Sequence, residues 1–114
     1  MITLTLPYPP TVNHYYTVVR GRKILSKNGR EYLARVVSYG VACGVKKIKG
    51  KVAVSIGAYL PDQRRRDLDN LLKPTLDALV AAGVIEDDSK IGRLSIEMVG
   101  FRPGGELVVT IDAL

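Results

Sequence analysis

Residues 52–83 read VAVSIGAYLPDQRRRDLDNLLKPTLDALVAAG, and this stretch decides the fold. Apolar residues alternate with small or polar ones over its first nine positions, which predicts a strand. From Leu71 onward the apolar residues recur every three to four positions, which predicts a helix that ends at Gly83. Because proline is tolerated only in a first helical turn, Pro74 places the helix start near Lys73 or kinks the helix there.

The segments on either side complete the order strand, hairpin, helix, strand, helix, strand, strand. We predict a strand at 2–6, a basic hairpin at 18–25, a helix capped by Ser26 at roughly 27–45, and strands at 91–99 and 106–111 that pair as an antiparallel hairpin. Leu94, Ile96 and Met98 are expected on one face of the first of these two strands. The expected fold class is α/β: a mixed β-sheet with two helices packed on it, in a single small domain at 1–114.

The overall charge favours an anionic partner. The chain has 114 residues with 17 Lys and Arg against 11 Asp and Glu, a formal net charge of +6. Such a balance favours nucleic acid or an acidic membrane surface, although many small basic proteins carry charge only for solubility. No apolar run approaches the ~20 residues of a membrane helix, and the N-terminus lacks signal-peptide features. We therefore expect a cytoplasmic protein without a membrane partner, with its one cysteine, Cys43, buried.

Two carboxylates stand at the entrance to the predicted helix, at Asp67 and Asp69. In extended backbone, side chains two positions apart point the same way, so these two would repel each other unless a cation lay between them. Magnesium prefers hard oxygen ligands, usually one or two carboxylates with waters and phosphate. The pair therefore predicts a Mg²⁺ site, with Mn²⁺ as a substitute. The alternative is that one aspartate only caps the helix.

Basic and polar residues surround this pair. Arg64, Arg65 and Arg66 would hold a polyanion near the metal, or else form a solvated run that balances local aspartates. Asn70 is a further DNA-binding candidate that could instead cap the helix. Lys73 lies one helical turn after the second aspartate and is a candidate for neutralising charge at a scissile phosphate, or for an ion pair with Asp69 or Asp77.

These residues carry a resemblance to the RusA family of Holliday-junction resolvases. The opening LPYPPTVNHYY at 6–16 resembles the family's proline-rich start, and PDQRRRDLDNLLK at 61–73 resembles its catalytic signature. Further matching pieces lie at 20–22, 26–32, 76–79, 82–83 and 87–88. The resemblance spans nearly the whole chain, which departs from the best-known member at Pro74 and around the first helix.

The resemblance implies a magnesium-dependent endonuclease that makes paired cuts in opposed strands of a four-way DNA junction and works as a homodimer. It implies that Asp67, Asp69 and Asp88 bind the metal, that Lys73 is the catalytic lysine, and that the arginines at 64–66 contact DNA. Asp87 would be a further acid. No nucleotide cofactor is implied.

Asp88 raises a geometric question that does not depend on the family. A helix of about 13 residues is roughly 20 Å long, with Asp69 at its start and Asp88 beyond its end. Asp88 therefore either folds back through the loop at 84–90 or comes from a partner subunit. Because a junction needs two coordinated cuts, a two-fold dimer of one-site chains is the economical arrangement.

Two other functions remain open from the sequence. One is a nuclease for other branched DNA, such as flaps or forks. The other is a non-catalytic basic DNA-binding module whose aspartates only cap helices and aid solubility. RNA binding is less expected, because no aromatic-rich sheet motif is present.

Overall fold

The computed structural model describes the backbone of residues 1–114 and the side chains of residues 1–11 and 14–114. The strands are β1 (Ile2–Pro7), β2 (Tyr16–Val19), β3 (Arg22–Leu25), β4 (Val52–Leu60), β5 (Ile91–Phe101) and β6 (Glu106–Ala113). The helices are α1 (Val12–Tyr15), α2 (Lys27–Cys43) and α3 (Leu72–Ala81), and 3-10 turns lie at Leu68–Leu71 and Asp88–Lys90.

The main sheet has the strand order β1-β6-β4-β5, in which β4 is antiparallel to β6 and parallel to β5. The mixed sheet and the strand at 52–60 are thus confirmed. The predicted hairpin between the last two strands is wrong, because β6 lies between β1 and β4. The connection crosses the end of β4, where the Arg102 backbone N–H donates to the Leu60 carbonyl at 2.9 Å and the Arg102 guanidinium lies 3.6 Å from the Tyr59 ring centroid.

One face of the sheet and the two longer helices enclose the core. Every second residue of β4 is buried, from Val52 to Leu60. Leu94, Ile96 and Met98 pair in register with buried β4 residues and therefore share their face, as predicted. Because β5 is an edge strand, however, Leu94 and Met98 remain 40% and 55% exposed.

The ends of α2 follow the expected capping chemistry. The Ser26 side chain accepts a hydrogen bond from the Gly29 N–H at 3.0 Å, so the predicted cap is confirmed. The helix ends at Cys43 because Gly44 adopts a left-handed backbone with φ 65°. Cys43 is exposed, so its predicted burial is wrong: the apolar stretch around it includes exposed positions of the last helical turn.

The α3 segment begins where Pro74 allows. A 3-10 turn at Leu68–Leu71 precedes α3, and Pro74 lies in the first α-helical turn, so the start near Lys73 is confirmed. The buried Thr75 hydroxyl donates to the Leu71 carbonyl at 2.6 Å across this join. Gly83 has φ 74° just past the helix end, as its position predicts.

The hairpin β2–β3 forms a small sheet of its own. Its turn has positive φ at both Arg20 (52°) and Gly21 (75°), which is the pattern of a type I′ turn. Tyr15 at the hairpin base is fully buried, and its carbonyl accepts from the Ser26 N–H at 2.9 Å. A Cβ on Gly29 would lie 2.5 Å from that carbonyl oxygen, so only glycine lets α2 approach the hairpin this closely.

Candidate active site

The loop that leaves β4 is organised by Asp62. Its two carboxylate oxygens accept from the Arg66 guanidinium at 3.0 and 2.9 Å, and one of them also accepts the Arg64 backbone N–H at 2.9 Å. The Arg64 hydrogen bond, then that from Arg66, lowers the pKa of Asp62 below its ordinary value. The loop therefore keeps this contact at neutral pH and loses it as the pH falls through the lowered pKa.

Arg66 differs from the two arginines before it. Its side chain is 22% exposed, against 84% for Arg64, and its guanidinium lies 5.9 Å from the centroid of the Tyr8 ring. Its Nε is buried and has no hydrogen-bond partner among the described groups. Arg66 thus holds the loop, and the DNA-contact role of Arg64, Arg65 and Arg66 stays a prediction.

Asp67 and Asp69 are both exposed at the entrance to α3. Asp67 has extended backbone (φ −94°, ψ 123°) and makes no side-chain capping bond, while Asp69 belongs to the 3-10 turn. The premise that extended backbone aligns their side chains is therefore wrong. Neither carboxylate forms an ion pair or hydrogen bond with any side chain that the structure describes, so their oxygens stay available to a ligand.

A cleft of about 160 Å³ opens beside Asp67. Its walls come from the segment after β1 and from the entrance to α3, and they are lined by Tyr8, Thr11, Arg65, Arg66, Asp67, Asn70 and Leu71. A carboxylate, an amide and guanidinium groups thus face one opening next to an aromatic ring. Asn70, a predicted DNA contact, lies where it can reach a group bound there.

Lys73 is held by Asp77 rather than by Asp69. Its Nζ lies 2.9 Å from the Asp77 Oδ1, and the buried Tyr15 hydroxyl donates to the Asp77 Oδ2 at 2.8 Å. Asp77 therefore joins the hairpin base to the start of α3. The sequence predicted Asp77 only as one possible ion-pair partner of Lys73. The hydrogen bond from Tyr15 to Asp77 was not predicted, because no local spacing connects residues 62 positions apart.

The charges around Lys73 shift its pKa upward. The hydrogen bond with Asp77 is the largest cause, and partial burial of the ammonium opposes it. Tyr16 and Asp88 are smaller causes that also raise the pKa of Lys73. The stabilising contact with Asp77 is complete below the ordinary lysine pKa and is lost as the pH rises through the raised value.

The second acidic pair divides into two roles. Asp87 accepts the Ser89 N–H at 3.0 Å and caps the 3-10 turn, which lowers the pKa of its carboxyl group. Asp88 begins that turn and is exposed. Among the described side chains, no group of three or more Asp, Glu, His or Cys lies close enough to hold a metal. One chain thus does not gather Asp67, Asp69 and Asp88 into a single cluster.

Comparison with known proteins identifies relatives of this sequence. The family described as "Endodeoxyribonuclease RusA" matches residues 7–112. The chain belongs to the RusA family. A relative from Enterobacteria phage 82, named "Crossover junction endodeoxyribonuclease rusA", is 38% identical over 119 residues, covering 97% of this chain and 93% of the relative.

Two bacterial RusA proteins show the same similarity. The "Crossover junction endodeoxyribonuclease RusA" of Escherichia coli K12 is 38% identical over 120 residues, and that of Shigella sonnei Ss046 is 37% identical over 120 residues. Each alignment covers 98% of this chain and 94% of the relative. The resemblance carried by the motifs at 6–16 and 61–73 is confirmed. Among the described helices, none is long and apolar enough to cross a membrane.

Replacing Asp77 by Asn should lower the pKa of Lys73 toward its ordinary value, because the amide keeps the shape of the side chain but removes its charge. The measurement is an NMR pH titration of the lysine side-chain nitrogen. Glu31→Gln is the matched control, since it breaks the exposed helical pair of Lys27 and Glu31 at 3.8 Å. An unchanged Lys73 titration in the Asp77 variant would contradict the assigned cause.

Proposed function

We propose that this chain is a metal-dependent endodeoxyribonuclease that resolves four-way DNA junctions by paired cuts. The observation that carries the proposal is the exposed pair Asp67 and Asp69, of which Asp67 lines a cleft, preceded by two exposed arginines. Relatives that align over nearly the whole chain are named crossover junction endodeoxyribonucleases. The net charge of +6 suits a polyanionic substrate.

The donor set at this position fits magnesium. Asp67 and Asp69 offer hard carboxylate oxygens without described protein partners, and Mg²⁺ is often held by one or two carboxylates together with water and substrate phosphate. Asp88 is proposed as a third acidic ligand, and Mn²⁺ as a substitute ion. When bound, the ion would supply an activated water and stabilise negative charge on the phosphodiester.

The other side chains of the site position the DNA strand. Arg64 and Arg65 extend into solvent and can bind the phosphates flanking the cut without reading sequence. Asn70 faces the same cleft and can donate its amide to a sugar or phosphate oxygen. Lys73, oriented by Asp77, offers a positive charge and protons toward the leaving oxygen.

Asp67→Asn should leave junction binding intact or stronger, because it removes a negative charge near the phosphates. Cleavage in magnesium should fall by roughly a hundredfold or more, the loss typical of removing a group that stabilises transition-state charge. The assay uses labelled four-way junction and linear duplex, with and without magnesium. Asp112→Asn, at an exposed residue of β6, is the control that should keep cutting. A wild-type protein that binds the junction but never cuts it would favour a pure binding module.

We further propose that the working form is a two-fold dimer joined along β5. This strand is a sheet edge of eleven residues with exposed apolar side chains, including Met98, Val99 and Phe101. Such an edge tends to pair with another strand. In an antiparallel pairing with its axis at Ser95, each Arg93 lies opposite Glu97 of the second copy, which is self-complementary as a two-fold interface requires.

Charge reversal tests this interface. Glu97→Arg should weaken the dimer, because two pairs of like charges then face each other across the axis. Adding Arg93→Glu in the same chain restores opposite charges and should restore the dimer. Sedimentation without DNA measures the fraction of dimer in both variants. Arg35→Glu on α2 is the control. Failure of the double variant to recover while it remains folded would place the interface elsewhere.

The position of Asp88 leaves two ways to complete the site. The 3-10 turn that begins at Asp88 contacts α3 of the same chain, which favours folding back through the loop at 84–90. Alternatively, Asp88 of one copy meets Asp67 and Asp69 of the other, since the described carboxylates do not gather within one chain.

Mixing inactive variants separates these two arrangements. If the site is shared, heterodimers of Asp69→Asn and Asp88→Asn contain one intact site, so the mixture should nick one strand of the junction. If each chain builds its own site, both sites in the heterodimer are defective and no nick appears. A mixture of Asp67→Asn with Asp69→Asn is the matched control and stays inactive under either arrangement.

A further inference from the structure

The β2–β3 hairpin exposes apolar side chains on both of its faces. Val18 is 70% exposed, Val19 47% and Ile24 42%. By register, Val18 shares one face with Lys23, while Val19 and Ile24 share the other with Arg22. An isolated two-stranded ribbon is marginal in water, so exposed aliphatic groups on it call for a binding partner.

The charge of the hairpin specifies that partner. Residues 16–25 include Arg20, Arg22 and Lys23 and no acidic residue. The Lys23 ammonium lies 4.3 Å from the Tyr16 ring centroid, which keeps one cation at the hairpin base. Basic groups interleaved with aliphatic ones fit a ligand that presents both phosphates and apolar surface, such as DNA whose bases are partly unstacked.

The hairpin is fixed directly to the proposed active site. Tyr15 precedes β2 without a break, and its hydroxyl bonds Asp77, which holds Lys73. Tyr16, the first residue of β2, also contributes to the raised pKa of Lys73. The position of the hairpin is therefore coupled to that of the lysine, and DNA bound on one is aligned with the other.

We propose that the β2–β3 hairpin inserts as a wedge at the branch point of a DNA junction, with Val18 on one face and Val19 on the other packing against unstacked bases, while its basic residues hold the adjoining phosphates. This proposal rests on the proposed function, because it names the part of the substrate that the hairpin contacts. Phosphate contacts alone would not use exposed valines, and continuous duplex offers few unstacked base faces. The hairpin thus favours branched over linear DNA.

The test compares wild type with Val18→Thr plus Val19→Thr, which keeps side-chain shape and strand propensity but replaces two methyl groups by hydroxyls. Junctions carry 2-aminopurine at the branch point, and calcium replaces magnesium. Wild type should raise the fluorescence by unstacking the base, and the double variant should lose this rise. Its affinity for the junction should fall by about tenfold, as expected for two methyl groups withdrawn from contact, with duplex affinity unchanged.

Two control variants test whether the effect is specific to Val18 and Val19. Val41→Thr changes another highly exposed valine, at the far end of α2, and should behave as wild type. Arg22→Gln should weaken junction and duplex binding alike, because it removes a phosphate contact. Thermal unfolding of each variant checks that the hairpin change has not unfolded the protein.

The outcomes separate this proposal from the proposed function. If wild type neither prefers nor cuts junctions, the proposed function fails and the hairpin proposal falls with it. If wild type prefers and cuts junctions but the double-threonine variant keeps its preference and fluorescence, only the hairpin proposal is overturned. A change in sedimentation of that variant without DNA would identify the hairpin as a contact between copies and would likewise overturn the proposal.

Discussion

The parallel pairing of β4 with β5 is the constraint on which the rest of the structure depends. Two parallel neighbours cannot be joined by a tight turn, so the chain must leave the end of β4, cross the sheet face and return to the start of β5. The loop, the 3-10 turn and α3 are this crossover. Because β4 is the most buried strand, the point where the loop leaves it is fixed, and the acidic pair is presented from a rigid base.

A second interaction determines how the crossover positions Lys73. The Asp77 carboxylate receives Lys73 on one oxygen and the buried Tyr15 hydroxyl on the other. Tyr15 is in turn fixed by Ser26 and by the close approach of Gly29. Parts of the chain more than sixty residues apart are therefore connected through Asp77, and a displacement at the hairpin base reaches the lysine through two hydrogen bonds.

Features that depend on local chemistry were predictable from the sequence, and those that depend on distant partners were not. The Ser26 cap, the basic hairpin and the strand at 52–60 follow from short-range rules, and the structure has them. The β5–β6 pairing was wrong because sequence neighbours often pair, whereas here β6 inserts between β1 and β4. The expected alignment of Asp67 and Asp69 was wrong, because a 3-10 turn replaces extended backbone at Asp69.

The two kinds of arginine in the loop explain how a cationic segment can hold an acidic site open. Arg66 neutralises Asp62 within the loop and packs near Tyr8, so this pair adds little net charge to the cleft. Arg64 and Arg65 remain exposed, and the carboxylates at 67 and 69 are left without described partners. If Arg66 were instead free to reach those carboxylates, a short ion pair would occupy the oxygens that a metal needs. The half-buried Asp62–Arg66 contact thus keeps this guanidinium engaged within the loop.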